Sequence, residues 1–190
     1  VERHGMLWVH PQVDGHLDLR EVLGADLDDE LGSFCMDQHQ YLGNKTIDMN
    51  LNWKLANDTF GETYHFGKLH KDTLGRLYIG NNQHFEEFGR HHRFVTANHG
   101  IHALRELPEA DWQIDQATFV MYHLFPNVQL LTSRGSTTLI RIYPHADGAN
   151  RSVTQVSFYY SEELIAASEQ SDNAADGTNV YDMDTRGGRV

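Results

Sequence analysis

Apolar and polar residues alternate with a period of two through most of the second half of the chain. Residues 93–97, 118–125, 128–133, 137–143 and 152–160 each carry that alternation, and Pro126-Asn127, Arg134-Gly135 and Asp147-Gly148 punctuate them. Each is predicted to be a strand bounded by a turn. Strands so closely spaced predict an antiparallel meander. Glu162 and Glu163 then open a helix predicted over 162–169, with Ser161 as its N-cap and acids in its first turn. Beyond Ser171 the chain is a polar, glycine-containing tail.

The first half is less regular. Residues 5–9 (GMLWV) predict a short strand that stops at Pro11, and Asp14-Gly15 marks a turn. Residues 16–29 are acidic and predict a loop anchored by Leu17, Leu19, Leu23 and Leu27. A helical turn is predicted over 30–36 and a strand over 46–51. Residues 54–65 predict a helix in spite of Gly61, and residues 71–90, rich in glycine, asparagine and charge, predict a loop or short helix. The sum is an α+β domain: one large antiparallel sheet with helices to one side and a ligand pocket between.

Composition removes several functions. The 190 residues suit one domain. A formal charge of -12, with no lysine and arginine stripe, disfavours a grip on nucleic acid. No apolar run reaches the roughly 18 residues of a membrane span, and the opening VERHGMLWVHPQ has no leader-like pattern. Cys35 is the single cysteine, so the chain holds no internal disulfide and no cysteine-ligated cluster of its own, and a reducing cytoplasmic setting is expected. Histidine is in excess, at 13 residues. It is the commonest metal ligand and a frequent acid–base group.

The sharpest constellation is Glu62-Thr-Tyr-His65-Phe-Gly-Lys-Leu-His70. On a helix, Glu62 and His65 share a face, whereas His65 and His70 stand about 140° apart. They can share one metal only where the helix breaks, and Gly67 is placed to permit that. Two imidazoles and a carboxylate compose the facial triad of non-haem Fe(II) oxygenases. Against this stands the plain alternative that the pair caps a helix end or sits half exposed. The spacing does not match the H-E-x-x-H of zinc peptidases.

Wider context sharpens the choice. Asn52-Trp53-Lys54, followed by Glu62-x-Tyr64-His65-x4-His70 and by Tyr122-His123-Leu124-Phe125-Pro126-Asn127, resembles the catalytic domain of the α subunit of Rieske non-haem iron oxygenases, the aromatic-ring-hydroxylating enzymes. The resemblance runs in order along nearly the whole chain. It implies a helix-grip fold, a curved antiparallel sheet wrapped around a long helix. It implies that His65 and His70 ligate a mononuclear Fe(II), and that Glu62 is the catalytic carboxylate bridging to the Rieske cluster of a neighbouring subunit. Asp usually fills that bridging place, and Thr59 stands where Asn is frequent. The resemblance further implies a small apolar or aromatic substrate with O2, a ferredoxin or reductase as electron donor, and a homo-oligomer, a trimer with or without a β subunit.

Two parts of such an enzyme are expected outside these residues. A Rieske 2Fe-2S cluster needs paired Cys and His ligands, so residues 1–10 are expected to be the end of a preceding Rieske domain, and 11–190 a catalytic domain truncated at its C-terminus. The third iron ligand of the family is an Asp on a helix after the last strand. Asp172, Asp176, Asp182 and Asp184 are the acids available, and Gly177, Gly187 and Gly188 interrupt their segment. The ligand is therefore expected beyond Val190, with Asp172 and Asp176 as weaker candidates. For His84, His91, His92, His99 and His102, surface or structural roles are favoured over a substrate mouth. Phe60, Phe66, Phe119, Tyr122 and Phe125 line either a cavity or the core, and His123 faces one or the other. Two other functions stay open: a zinc hydrolase using His65 and His70 with Glu62 as base, and a metal-free helix-grip carrier of apolar ligands.

Overall fold

In the computed structural model, which describes residues 1–172, the strands Gln40–Met49 (β3), Tyr78–Phe88 (β4), His91–Asn98 (β5), Thr118–Leu124 (β6), Val128–Thr132 (β7), Ser136–His145 (β8) and Gly148–Tyr160 (β9) make one antiparallel sheet. Its order is β3-β9-β8-β7-β6-β5-β4. The meander read from the alternation is present from β5 to β9. Glu2–Arg3 (β1) and Met6–Leu7 (β2) form a separate small hairpin, shorter than the strand expected at 5–9.

Alternation also decides what each face of the sheet meets. Val120, Tyr122 and Leu124 of β6, with Val128 and Leu130 of β7, pack on Leu23, Leu27 and Leu31. Those leucines belong to helices Leu19–Leu23 (α1) and Ala25–Gly32 (α2), where a loop was expected from 16 to 29. Leu19, Leu23, Leu27 and Leu31 repeat every four residues, a helical stripe that the acids between them and Gly24 obscure. Gly24 sits at φ 81 and caps α1, a conformation that favours glycine. On the opposite face, Leu131, Ile140, Ile142 and Val156 pack on Ala56, Trp53 and Phe60. Ala56 and Trp53 lie on helix Trp53–Asp58 (α3).

Buried polar groups fasten these layers. Asp28 of α2 is fully buried and accepts hydrogen bonds from Arg3, from His4 Nε2 at 2.8 Å and from Arg20 at 3.0 Å. The hairpin is thereby clamped to the helix. On the sheet side, Tyr122 donates to Glu30 at 2.7 Å, and Arg93 bridges Glu30 and Glu86. Tyr122 thus belongs to the core under α2 and lines no cavity on the other face. Phe125 is half exposed.

Strand β4 replaces the loop or short helix expected over 71–90; only Leu74–Leu77 (α4) is helical there. It is an edge strand and mostly exposed, so it carries no apolar alternation, and pairing with β5 holds it. After β9 comes helix Glu162–Asp172 (α6; α5 is Ile101–Leu104). The Ser161 hydroxyl accepts from Leu164 N at 3.2 Å, the N-cap expected of it. The α+β helix-grip class is thus present.

Candidate metal centre

The segment carrying the candidate ligands starts on a well-anchored helix. Asn52 caps α3 by accepting from Lys54 N at 2.9 Å, and its amide donates to the Ala149 carbonyl at 2.6 Å, pinning the helix start to β9. Trp53 packs against the sheet. The helix stops at Asp58, short of the expected 65. Residues 59–61 form a tight 3-10 turn, and Glu62 is extended at φ -146, ψ 160. Glu62 and His65 therefore do not meet by sharing a helical face.

They meet because Glu62 caps the turn that follows. One carboxylate oxygen accepts from the Tyr64 and His65 backbone N–H groups, the latter at 3.3 Å, while the other accepts from His65 Nδ1. The carboxylate thus takes the Nδ1 side of the ring and leaves Nε2 as the remaining nitrogen. A metal-ligating histidine uses this same device, a carboxylate on its second nitrogen.

The wide turn from His65 to His70 brings the second imidazole round. The His65 carbonyl accepts from Lys68 N at 3.0 Å, Leu69 N at 2.7 Å and His70 N at 3.4 Å. The last of these is an i to i+5 bond, the widened turn that recurs at functional sites. It replaces the geometry that would have set the rings about 140° apart. The two ring centroids lie 5.2 Å apart at 67°. A ring centre stands about 3.2 Å from a metal its nitrogen ligates, so two rings at about 90–110° on one ion are about 4.5–5.2 Å apart. The pair fits. Gly67 has an ordinary backbone conformation and open space around it, so the break does not depend on it and falls earlier, at 59–62.

Burial by its surroundings, and then the neighbouring imidazole, push the His70 pKa below the usual histidine value. That favours the neutral, ligating form. Phe66 is buried beside both rings, with centroids 5.0 Å from His65 and 6.1 Å from His70, and it meets Tyr78, which in turn meets Phe119. Among the described residues, no group of three or more His, Cys, Asp or Glu is placed to hold a metal. Asp172 ends α6; Asp176, Asp182 and Asp184 lie outside the described residues.

A second polar cluster, missed in the sequence apart from His123 itself, joins α3 to the sheet. His123 Nδ1 accepts from Gln129 Nε2 at 2.8 Å, and the same amide donates to Asn57 Oδ1 at 2.8 Å. The His92 ring stacks on His123 at 4.7 Å. His123 therefore faces α3, opposite to Tyr122 and Leu124. Burial, reinforced by His92 and His91, lowers its pKa to about 4. His91 is structural: its Nδ1 accepts from Phe125 N at 3.1 Å, and its Nε2 meets the Val22 carbonyl at 3.0 Å. His84, His99 and His102 are exposed.

The chain matches, over residues 36–185, the family described as the catalytic domain of the ring-hydroxylating α subunit. The chain belongs to this family. Solved structures agree in fold. The quaternary ammonium Rieske monooxygenase CntA bound to the inhibitor MMV12 superposes with a TM-score of 0.59 at 13% identity, covering 85% of this chain and 42% of that one. Its complex with L-carnitine gives 0.56 at 12% identity, with the same coverages of 85% and 42%. At such identities the likeness concerns fold alone. The chain spans about two fifths of the length of those structures. No curated protein sequence matches it. No helix of the described residues is long and apolar enough to cross a membrane.

Proposed function

We propose that this ring-hydroxylating domain holds a mononuclear Fe(II) between His65 and His70 and hydroxylates a small apolar or aromatic substrate. The 5.2 Å approach of the two rings, with Nδ1 of His65 already committed to Glu62, is the observation that supports it. Ferrous iron, when bound, supplies the reductive activation of O2. His65 Nε2 and a neutral His70 offer the lone pairs. Glu62 fixes the His65 tautomer and ring direction, and its position next to a ligand suits the bridging role towards a cluster on a neighbouring subunit. A third, carboxylate ligand comes from outside the described residues. Phe66, Tyr78, Phe119 and Phe94 continue from the histidines across the sheet as an aromatic wall that suits an apolar substrate.

The same reading carries the domain organisation. Residues 1–10 end a preceding Rieske domain, 11–190 belong to the catalytic domain, and the 2Fe-2S cluster sits on the former. A ferredoxin or reductase supplies electrons, in a cytoplasmic homo-oligomer. Exposed Tyr64 and Leu69, on the histidine turn itself, are apolar surface of the kind a neighbouring subunit covers. A hydrolytic use of the site is disfavoured, because both Glu62 oxygens are engaged within the turn and neither serves readily as a free base.

Anaerobic titration with Fe(II) tests the proposal. The expected result is one equivalent per chain, lost in His65→Ala and His70→Ala. Equal uptake by wild type and both variants overturns it. So does zinc at full occupancy together with hydrolysis and no oxygen uptake.

A further inference from the structure

We infer that the α4–β4 junction is a brace that sets the distance between the two imidazoles, with Thr63 and Gly75 as its positioning residues. This rests on the reading of His65 and His70 as a metal pair. Glu62 controls only His65, since its carboxylate touches that ring and the backbone of Tyr64 and His65. The one backbone bond from His65 to His70 is long, at 3.4 Å. Something else must keep His70 in place.

The contacts that do so come from residues 73–80. At the front of the turn, Thr63 is 1% exposed and its hydroxyl donates to the Gly80 carbonyl at 2.6 Å. Threonine at this position ties the residue between Glu62 and Tyr64 to the first residues of β4. At the back, the His70 carbonyl accepts from Thr73 N at 3.0 Å and Gly75 N at 2.9 Å. Gly75 also makes room. A Cβ built on it would lie 2.5 Å from the Phe66 carbonyl oxygen and 3.1 Å from that of His70. Both are rigid backbone atoms of the turn, so any side chain at 75 must push the turn away or break the bond to His70. The Phe66 ring completes the brace, buried between the two imidazoles and Tyr78. Thr63 and Gly75 thus act through the backbone on where the rings stand, Gly75 by its bond to the His70 carbonyl and neither by a bond to an imidazole.

The test uses the chain with and without Co(II). In the metal-free chain, nuclear Overhauser contacts between the His65 and His70 rings report the spacing directly. They are expected in wild type and Thr63→Ser, which keeps the hydroxyl, and are expected to vanish in Thr63→Val and Gly75→Ala. Co(II) affinity is expected to fall at least tenfold in the latter two and to stay within threefold in Thr63→Ser, while far-UV circular dichroism is unchanged. Ring contacts that persist in Thr63→Val and Gly75→Ala overturn the brace whatever the metal does. A Thr63→Val chain that loses its sheet signal also contradicts it, because a brace local to the turn leaves the sheet standing. Ring contacts that behave as stated in a chain with no Co(II) affinity support the brace and overturn the metal reading instead.

Discussion

Replacing Glu62 by Gln isolates the carboxylate's two duties. One oxygen accepts from His65 Nδ1, and the other accepts from two backbone N–H groups. Glutamine has one carbonyl oxygen, so whichever duty it keeps, its NH2 group points at donors on the other side. If the oxygen stays with the backbone, His65 loses the acceptor that fixes its tautomer. If it turns to the ring, the turn loses its cap. Carboxylates in this relation to a metal-bound histidine are worth about 10–100-fold in affinity. The Glu62 and His65 side chains retain 30% and 24% exposure, so solvent screening places the effect near the lower end, about tenfold or about 1.4 kcal/mol. Competition between the chain and a chromophoric chelator for Fe(II), under argon, measures it. Imidazole 15N shifts of the metal-free protein report the tautomer alongside. Glu62→Gln that binds Fe(II) within twofold of wild type, with the His65 shifts unmoved, refutes the reasoning. Glu62→Asp, one methylene shorter, is expected to fall between the two.

Other expectations concern the joints that present the site. His123 has a folded pKa of about 4 against about 6.5 unfolded. The unfolded chain therefore takes up the proton first, so stability is full above about 6.5 and declines as pH falls towards 4. The loss at pH 5 is at most about 2 kcal/mol; urea denaturation at pH 7.5 and 5 should show a shallower pH slope in His123→Gln, and an identical slope contradicts the assignment. Asp28 is held near pKa 2, chiefly by its hydrogen bond from Arg3. Its contribution is present above the usual carboxylate value and is lost as pH falls through about 2. Asp28→Asn should lower stability by about 1–2 kcal/mol at neutral pH and free the β1–β2 hairpin, seen as faster amide exchange at Met6 and Leu7. Unchanged exchange there argues against the clamp.

Much of the sheet was legible because its strands are half-buried and alternate, and the turns between them carry Pro, Gly, Asn and Asp. The misses have physical causes. In α1 and α2 the leucine stripe is diluted by five acids and cut by Gly24, so composition hid the periodicity. Strand β4 lies at an edge and is held by its neighbour, so its own sequence carries no face to read. At the candidate site, the grouping of Glu62, His65 and His70, and its need for a break in the helix, were legible from spacing and helix geometry. The kind of break was not. A widened turn stabilised by Thr63, Gly75 and Gly80 depends on contacts with a following segment, the Thr63–Gly80 bond spanning 17 residues, which local spacing does not encode. Asn57 and Gln129 were missed for the same reason: their partner His123 lies on a separate element, and only the folded chain brings the three together.

The most direct measurement is the nitrogen environment of ferrous iron bound to the chain. With nitric oxide added anaerobically to give the iron a half-integer spin that electron spin resonance detects, electron spin-echo spectroscopy counts the coordinated imidazoles. Couplings from two imidazole nitrogens are expected, with one lost in His65→Ala and the other in His70→Ala. A spectrum with no imidazole coupling, or one that neither substitution alters, contradicts the assignment of this turn as the iron site.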